Sequence, residues 1–167
     1  MTTRFVVIDT NVVVSGLITN QLDSPPARIV DAMLRGTFPF LLSFDLLTEY
    51  RMVLFRPMIQ RLHGLTETEV DTILTKMTIN GLVKELGGTQ VKGLDPGDLH
   101  IWQLLETVSN AMLVTGDQAL RKFLIKTTPV FSPPPFPTRH YPKTTPQGPH
   151  TPNTPRRIPR PYEHSQR

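Results

Sequence analysis

Four acidic residues stand in settings that could do chemistry: Asp9, Glu49, Asp98 and Asp117. Asp9 ends the short apolar run Arg4-Phe5-Val6-Val7-Ile8 and is followed by Thr10 and Asn11. Asp117 ends a second such run, Ala111-Met112-Leu113-Val114, after Thr115 and Gly116. Asp98 closes the turn Asp95-Pro96-Gly97-Asp98 ahead of an apolar-periodic segment, and Glu49 lies among Leu46, Leu47, Tyr50, Val53 and Leu54, close in angle to their shared face. Carboxylates brought together repel and raise one another's pKa unless a cation neutralises them. All-oxygen donors suit a hard ion, Mg²⁺ or Mn²⁺, and the chain offers neither the cysteines nor the paired histidines of a zinc site. A hard ion held by carboxylates leaves positions for water and phosphate oxygens, which is what metal-assisted phosphodiester hydrolysis requires.

Each acid also has a structural reading. An aspartate after a strand can cap the next turn, Asp98 can cap the helix it precedes, and a helical glutamate is commonly half exposed. Capping accounts for one of Asp95 and Asp98 but not for both. Convergence of the four depends on the elements that carry them.

The runs before Asp9 and Asp117 lack alternation and suit strands buried on both faces, as in parallel sheets covered by helices. Both aspartates then sit at the carboxyl edge of the sheet, where open α/β sheets bind ligands. Between them, Ser24-Pro25-Pro26 predicts the start of a helix over residues 27–34 that Gly36 closes. Residues 37–42 read as a second strand, Ser43 as the N-cap of the helix carrying Glu49, and Arg56-Pro57 as its end. Thr66-Glu67-Thr68-Glu69 opens a capped amphipathic helix reaching about residue 80. A short strand is expected near Gln90-Val91, then a helix after Asp98, the strand before Thr115, a helix over 118–124 and a last strand over 128–131. This alternation predicts an α/β chain with a central parallel sheet of about four to five strands, right-handed crossovers and helices on both faces. Asp9, Glu49, Asp98 and Asp117 can then meet at one edge from positions 40, 49 and 19 residues apart, which local capping does not require.

A length of 167 residues fits one domain and an appendage. The net charge of +4 resolves into two parts: residues 1–137 hold 12 Lys+Arg against 13 Asp+Glu, whereas residues 138–167 hold 6 against 1. The basic balance therefore belongs to the tail, and the body is not a strongly basic binding module. From Pro129 onward stand 12 of the 17 prolines, with few aliphatic residues. We therefore expect a folded domain over residues 1–133 and a Pro-rich basic tail over 134–167 that buries too little surface to order itself. The apolar run before Asp9 is too short for a signal-peptide core or a membrane span, and the absence of cysteine fits a reducing cytoplasm.

Val7-Ile8-Asp9-Thr10-Asn11-Val12 with Ser15-Gly16-Leu17, then Ser43 with Leu47-Thr48-Glu49-Tyr50, then Asp95-Pro96-Gly97-Asp98, then Leu113-Val114-Thr115-Gly116-Asp117 together resemble PIN-domain proteins over about residues 3–133. The subgroup most resembled is the VapC-like toxin components of toxin–antitoxin pairs. The resemblance implies a PIN-like α/β/α sandwich and a Mg²⁺- or Mn²⁺-dependent endoribonuclease. It implies Asp9, Glu49, Asp98 and Asp117 as the acidic metal-binding positions, with Asn11 and Thr115 as polar neighbours. Asp98 matches the family's third acid better than Asp95, since the family places that acid at the helix start. It also implies an RNA substrate, a homodimer and a cognate antitoxin that holds the enzyme inactive. The Pro-rich tail is no part of the family pattern.

Two other readings remain open. A haloacid-dehalogenase-like phosphotransferase also places Asp after the first strand, but it wants a second acid two residues on, where Asn11 stands, and a strand-end lysine that this chain lacks. A catalytically silent PIN-like scaffold or RNA-binding domain would keep the acids as caps. His100 reads as a surface residue and Trp102 as core.

Overall fold

The computed structural model describes residues 3–87, 96–117 and 130–131. Strand β1 (Val6–Ile8) leads through helices α1 (Thr10–Ile18) and α2 (Pro25–Arg35) to strand β2 (Phe40–Leu42). Helices α3 (Phe44–Leu54), α4 (Pro57–His63) and α5 (Glu67–Asn80) follow, then β3 (Leu82–Val83). A 3₁₀ turn (Pro96–Asp98), α6 (Leu99–Glu106), β4 (Met112–Val114) and β5 (Val130–Phe131) complete the described elements. The five strands form one sheet in the order β3-β2-β1-β4-β5, with every neighbouring pair parallel. The α/β expectation is thus realised as an α/β/α arrangement around a parallel sheet. The chain builds outward from β1 through β2 to β3, then crosses back to lay β4 on the other side of β1. The strand order therefore reverses between β1 and β4, and in open parallel sheets the crevice beyond the carboxyl ends at such a reversal is where ligands sit.

The elements follow the residues. Val7, Ile8, Leu41, Leu42 and Leu113 are buried along continuous apolar strands. Ser43 Oγ accepts from Leu46 N at 3.1 Å, which caps α3, and Thr66 and Glu69 form a capping box at the start of α5. Gly36 takes the left-handed conformation (φ 63°) that ends α2, and Asn80 Nδ2 donates to the carbonyls of Met33 and Leu34 there, tying the ends of α2 and α5 together. Buried residues of β1, β2, β4, α1, α2, α3, α5 and α6, among them Met33, Phe40, Leu46, Tyr50, Met77 and Leu104, form one core, and half-buried Trp102 packs against it.

Three features go beyond the sequence reading, which assigned no element to residues 10–18 or 82–83 and read Arg56-Pro57 only as a helix end. Residues 10–18 are helical, although Val12-Val13-Val14 is a β-branched run. Val12, Val13, Val14, Gly16 and Leu17 are all buried, so the helix is apolar almost all round and shows no helical period. Arg56-Pro57 does not simply end α3. Pro57 occupies the first turn of α4, where its fixed φ and missing N–H cost nothing. The turn around α4 is locked by buried His63: Leu65 N donates to His63 Nδ1 at 2.9 Å, so Nε2 carries the proton given to Leu54 O, also at 2.9 Å. The third strand lies at Leu82–Val83, directly after α5. The segment around Gln90-Val91, the expected helix over 118–124 and the tail from 134 lie outside the described residues.

Helices α1 and α2 cross closely at Gly16. A Cβ there would lie 2.5 Å from the Pro26 carbonyl oxygen and 2.6 Å from Val30 Cγ2. A backbone oxygen cannot swing aside, so a methyl group must separate the helices. We expect Gly16→Ala to cost about 1–3 kcal/mol of stability, the range for overpacking a tight core, read from urea denaturation. A loss below about 0.5 kcal/mol, the level of an ordinary surface substitution, would contradict so close a crossing.

Candidate active site

The carboxyl edge at the β1–β4 reversal is built on Asp9. Its backbone N donates to Val114 O at 2.9 Å, which continues the β1–β4 ladder one residue beyond the strand and sets Asp9 next to Thr115. Asp9 is also the N-cap of α1, with Oδ1 accepting from Thr10 N at 2.7 Å. Its Oδ2 accepts from the hydroxyl of fully buried Thr115. The side chain is therefore fixed at both oxygens, and the residue is 7% exposed. Capping and site geometry are properties of the same carboxylate.

Burial pushes the Asp9 pKa up to about 6, and the charges of Glu49 and Asp98 push in the same direction, against the lowering effects of the Thr115 and Thr10 hydrogen bonds. The acids of α3 and of the α6 start thus act on the β1 carboxylate, as the topology requires. Asp98 stands at the N-cap position of α6 but makes no side-chain capping bond, so capping does not explain this acid. The next residue after Glu49 completes the link to β1: Tyr50, fully buried, donates its hydroxyl to the Ile8 carbonyl. Burial, then Asp9 and Glu49, hold that phenol well above its ordinary pKa.

Asp117 is placed differently. Its backbone N donates to Thr115 Oγ1 at 2.9 Å, one hydrogen bond removed from Asp9, while the residue itself is exposed. Asn11 Oδ1 accepts from Gly116 N at 3.3 Å, pinning the loop after β4 to the start of α1. Asp95 lies outside the described residues. The structure thus gathers Asp9, Glu49 and Asp98 into one electrostatic neighbourhood, makes Thr115 the direct partner of Asp9, and holds Asn11 and Asp117 at its margin.

His100 requires a correction. It is not a free surface residue: its side chain is 15% exposed, and Nε2 lies 2.6 Å from Glu49 Oε2. The signal was its spacing, since position 100 shares a helix face with fully buried Leu104. The Tyr50 hydroxyl was likewise hidden in an apolar stripe, although a buried phenol needs an acceptor.

Among the described residues no three acidic or histidine side chains close around an ion as they stand. The donor chemistry nevertheless fits a hard cation. Asp9 is a desolvated carboxylate beside two other acids, and Glu49 Oε2 is buried without a well-formed hydrogen bond, so a positive charge would relieve both. Asp9, Glu49 and Asp98 are the residues that would hold it, and the chemistry supplied there is acidification of water and offset of phosphate charge. A cleft of about 630 Å³ lined by Asp23, Arg28, Asp31, Arg35 and Phe38, among others, shares no residue with this edge. Its open, mixed-charge walls are ordinary surface, whereas a desolvated carboxylate needs a reason.

A protein-family model described as PIN domain matches residues 5–119, more than half of the chain. No curated protein matches it.

Asp9 holds its proton more tightly in the native state, at about pH 6, than at its ordinary pKa of 3.8. Its contribution to folding is therefore complete below that ordinary value and is lost as pH rises through about 6. Asp9→Asn keeps the cap but cannot ionise. Without metal, it should be more stable than wild type at neutral pH by on the order of 1–3 kcal/mol and lose this advantage towards pH 4. Urea denaturation across that range measures the difference, and a variant less stable than wild type at neutral pH would contradict the desolvation of Asp9.

Proposed function

This chain belongs to the PIN-domain family, and on that premise we propose that it is a Mg²⁺- or Mn²⁺-dependent endoribonuclease, the toxin of a toxin–antitoxin pair. Members of the family are commonly nucleases, which makes hydrolysis of nucleic-acid phosphodiester bonds the coarse assignment. The observation that carries the finer reading is the desolvated Asp9 carboxylate at the strand-order reversal, under the charge of Glu49 and Asp98.

In this reading Asp9, Glu49 and Asp98 hold the divalent ion and Asp117 completes the acidic set at the rim. Thr115 and Thr10 fix Asp9 through both of its oxygens, so the carboxylate meets the ion with little freedom left to lose. Asn11 and Gly116 keep the loop carrying Asp117 next to α1. The chain's own residues thus bind and orient, while the water that attacks phosphorus needs charge offset that carboxylates cannot supply. An RNA substrate, a homodimer and an antitoxin as inhibitory partner belong to the same proposal and rest on the four motifs that resemble toxin members. No helix among the described residues is long and apolar enough to cross a membrane.

Purified protein with millimolar Mn²⁺ should cleave single-stranded RNA, and Asp9→Asn should lower the rate by at least about 10²-fold. Expression should arrest growth, and Asp9→Asn should relieve the arrest. In thermal melts, millimolar Mn²⁺ should raise the wild-type Tm and leave that of Asp9→Asn unchanged. Metal-independent melting together with no cleavage would point to a silent scaffold, and cleavage that survives Asp9→Asn would remove this site from the chemistry.

A further inference from the structure

Glu49 is less constrained than Asp9. Asp9 is fixed by two hydrogen bonds, but the Glu49 carboxylate ends a longer side chain, itself 36% exposed. Its inner oxygen, Oε2, is buried and meets His100 Nε2 at 2.6 Å. Two acceptors at that separation would repel, so the contact is favourable with the imidazole hydrogen on Nε2, facing the carboxylate. The pair nevertheless lies off hydrogen-bond alignment, and both atoms are buried without another hydrogen-bond partner. The contact therefore restrains Glu49 without exhausting it, leaving the carboxylate able to take a further positive partner.

The elements give this contact its consequence. Glu49 lies on α3, in the turn that packs Tyr50 onto β1, and His100 lies on α6, two residues after Asp98. Helices α3 and α6 touch. Moving His100 would move Glu49 relative to Asp98, and hence the charge that both bring to Asp9.

We propose that His100 is a positioning residue that holds Glu49 Oε2 in place so that Glu49, Asp98 and Asp9 present one cation-binding set. It acts through Glu49 and contributes neither a ligand nor a substrate contact. The proposal takes the divalent cation, but not the RNA, from the functional reading above.

The test uses full-length wild type, His100→Ala, His100→Gln, Glu49→Gln and the His100→Ala/Glu49→Gln double variant. Mn²⁺ half-saturation is read from Tm against metal concentration, and KM for RNA is read at saturating Mn²⁺. His100→Ala should raise half-saturation by about tenfold, as loss of a group that orients a metal ligand does. His100→Gln, which keeps an N–H donor at similar reach, should return it to within about threefold of wild type. On the Glu49→Gln background, His100→Ala should add no further loss, because a residue acting only through Glu49 has nothing left to act on. KM should not change. If His100→Ala loses its cooperative melt, His100→Leu refills the space without a donor and should show the same weakened Mn²⁺ binding.

Half-saturation unchanged in His100→Ala or His100→Leu overturns the proposal. A further loss on the Glu49→Gln background does so in favour of a direct ligand, and a raised KM with unaltered metal binding does so in favour of a substrate contact. A wild type that binds Mn²⁺ with the expected His100 dependence but cleaves no RNA keeps the positioning role and removes the nuclease reading. A wild type that gains nothing from Mn²⁺ removes both.

Discussion

A carboxylate held out of water at the end of β1 is the constraint on which the rest of this structure depends. Asp9 must keep its place for three reasons at once. It continues the ladder to β4, it caps α1, and it lies within the field of two acids that raise its pKa further. A group so placed costs stability whenever it ionises without a positive partner. The surroundings offset this only in part, through the Thr10 amide and the Thr115 hydroxyl. What remains uncompensated is the negative charge that Asp9 takes on when it ionises.

The fold delivers the other acids through topology. Because β4 returns to the free side of β1, the loop after β4 and the start of α1 face each other across one crevice, and Asn11 and Gly116 join them. Because α3 leaves β2 at a serine cap on the same edge, Glu49 arrives in its second turn, and the neighbouring Tyr50 fastens that turn to the Ile8 carbonyl. Because α6 begins at Asp98 on the same edge, that acid brings its charge to bear on Asp9. None of these placements is local to its residue. Each follows from a strand or helix whose buried face is fixed elsewhere in the core.

The sequence made legible whatever had a local cause. Ser43 and the Thr66–Glu69 box announce their helices through capping chemistry, Gly36 ends one through its left-handed backbone, and the apolar runs before Asp9 and Asp117 announce buried strands. The parallel sheet and the acids at its edge followed from those signals. What stayed hidden has its cause in tertiary packing. Residues 10–18 are wrapped on nearly every side, so burial erased the period that would have marked a helix. Leu82–Val83 is a strand of two residues beside β2, too short for any pattern. The face that His100 shares with Leu104 could have told of its burial, but its partner, Glu49, is 51 residues away in sequence, and no spacing rule spans two helices from different parts of the chain.

The charge distribution then bears on how such a site could meet a polyanion. Residues 1–137 carry nearly equal numbers of basic and acidic groups, and the acids at the carboxyl edge make that edge locally negative. Phosphate backbones are normally drawn to surfaces by lysine and arginine, and this edge works against that attraction. In the nuclease reading Asp9, Glu49 and Asp98 would hold a divalent ion, which would stabilise these carboxylates and invert the sign of the field that an approaching phosphate meets. The acids that make the metal-free site costly are the same acids that would make the loaded site attractive to its substrate. In that reading the desolvated Asp9 carboxylate, rather than a basic groove, carries the function.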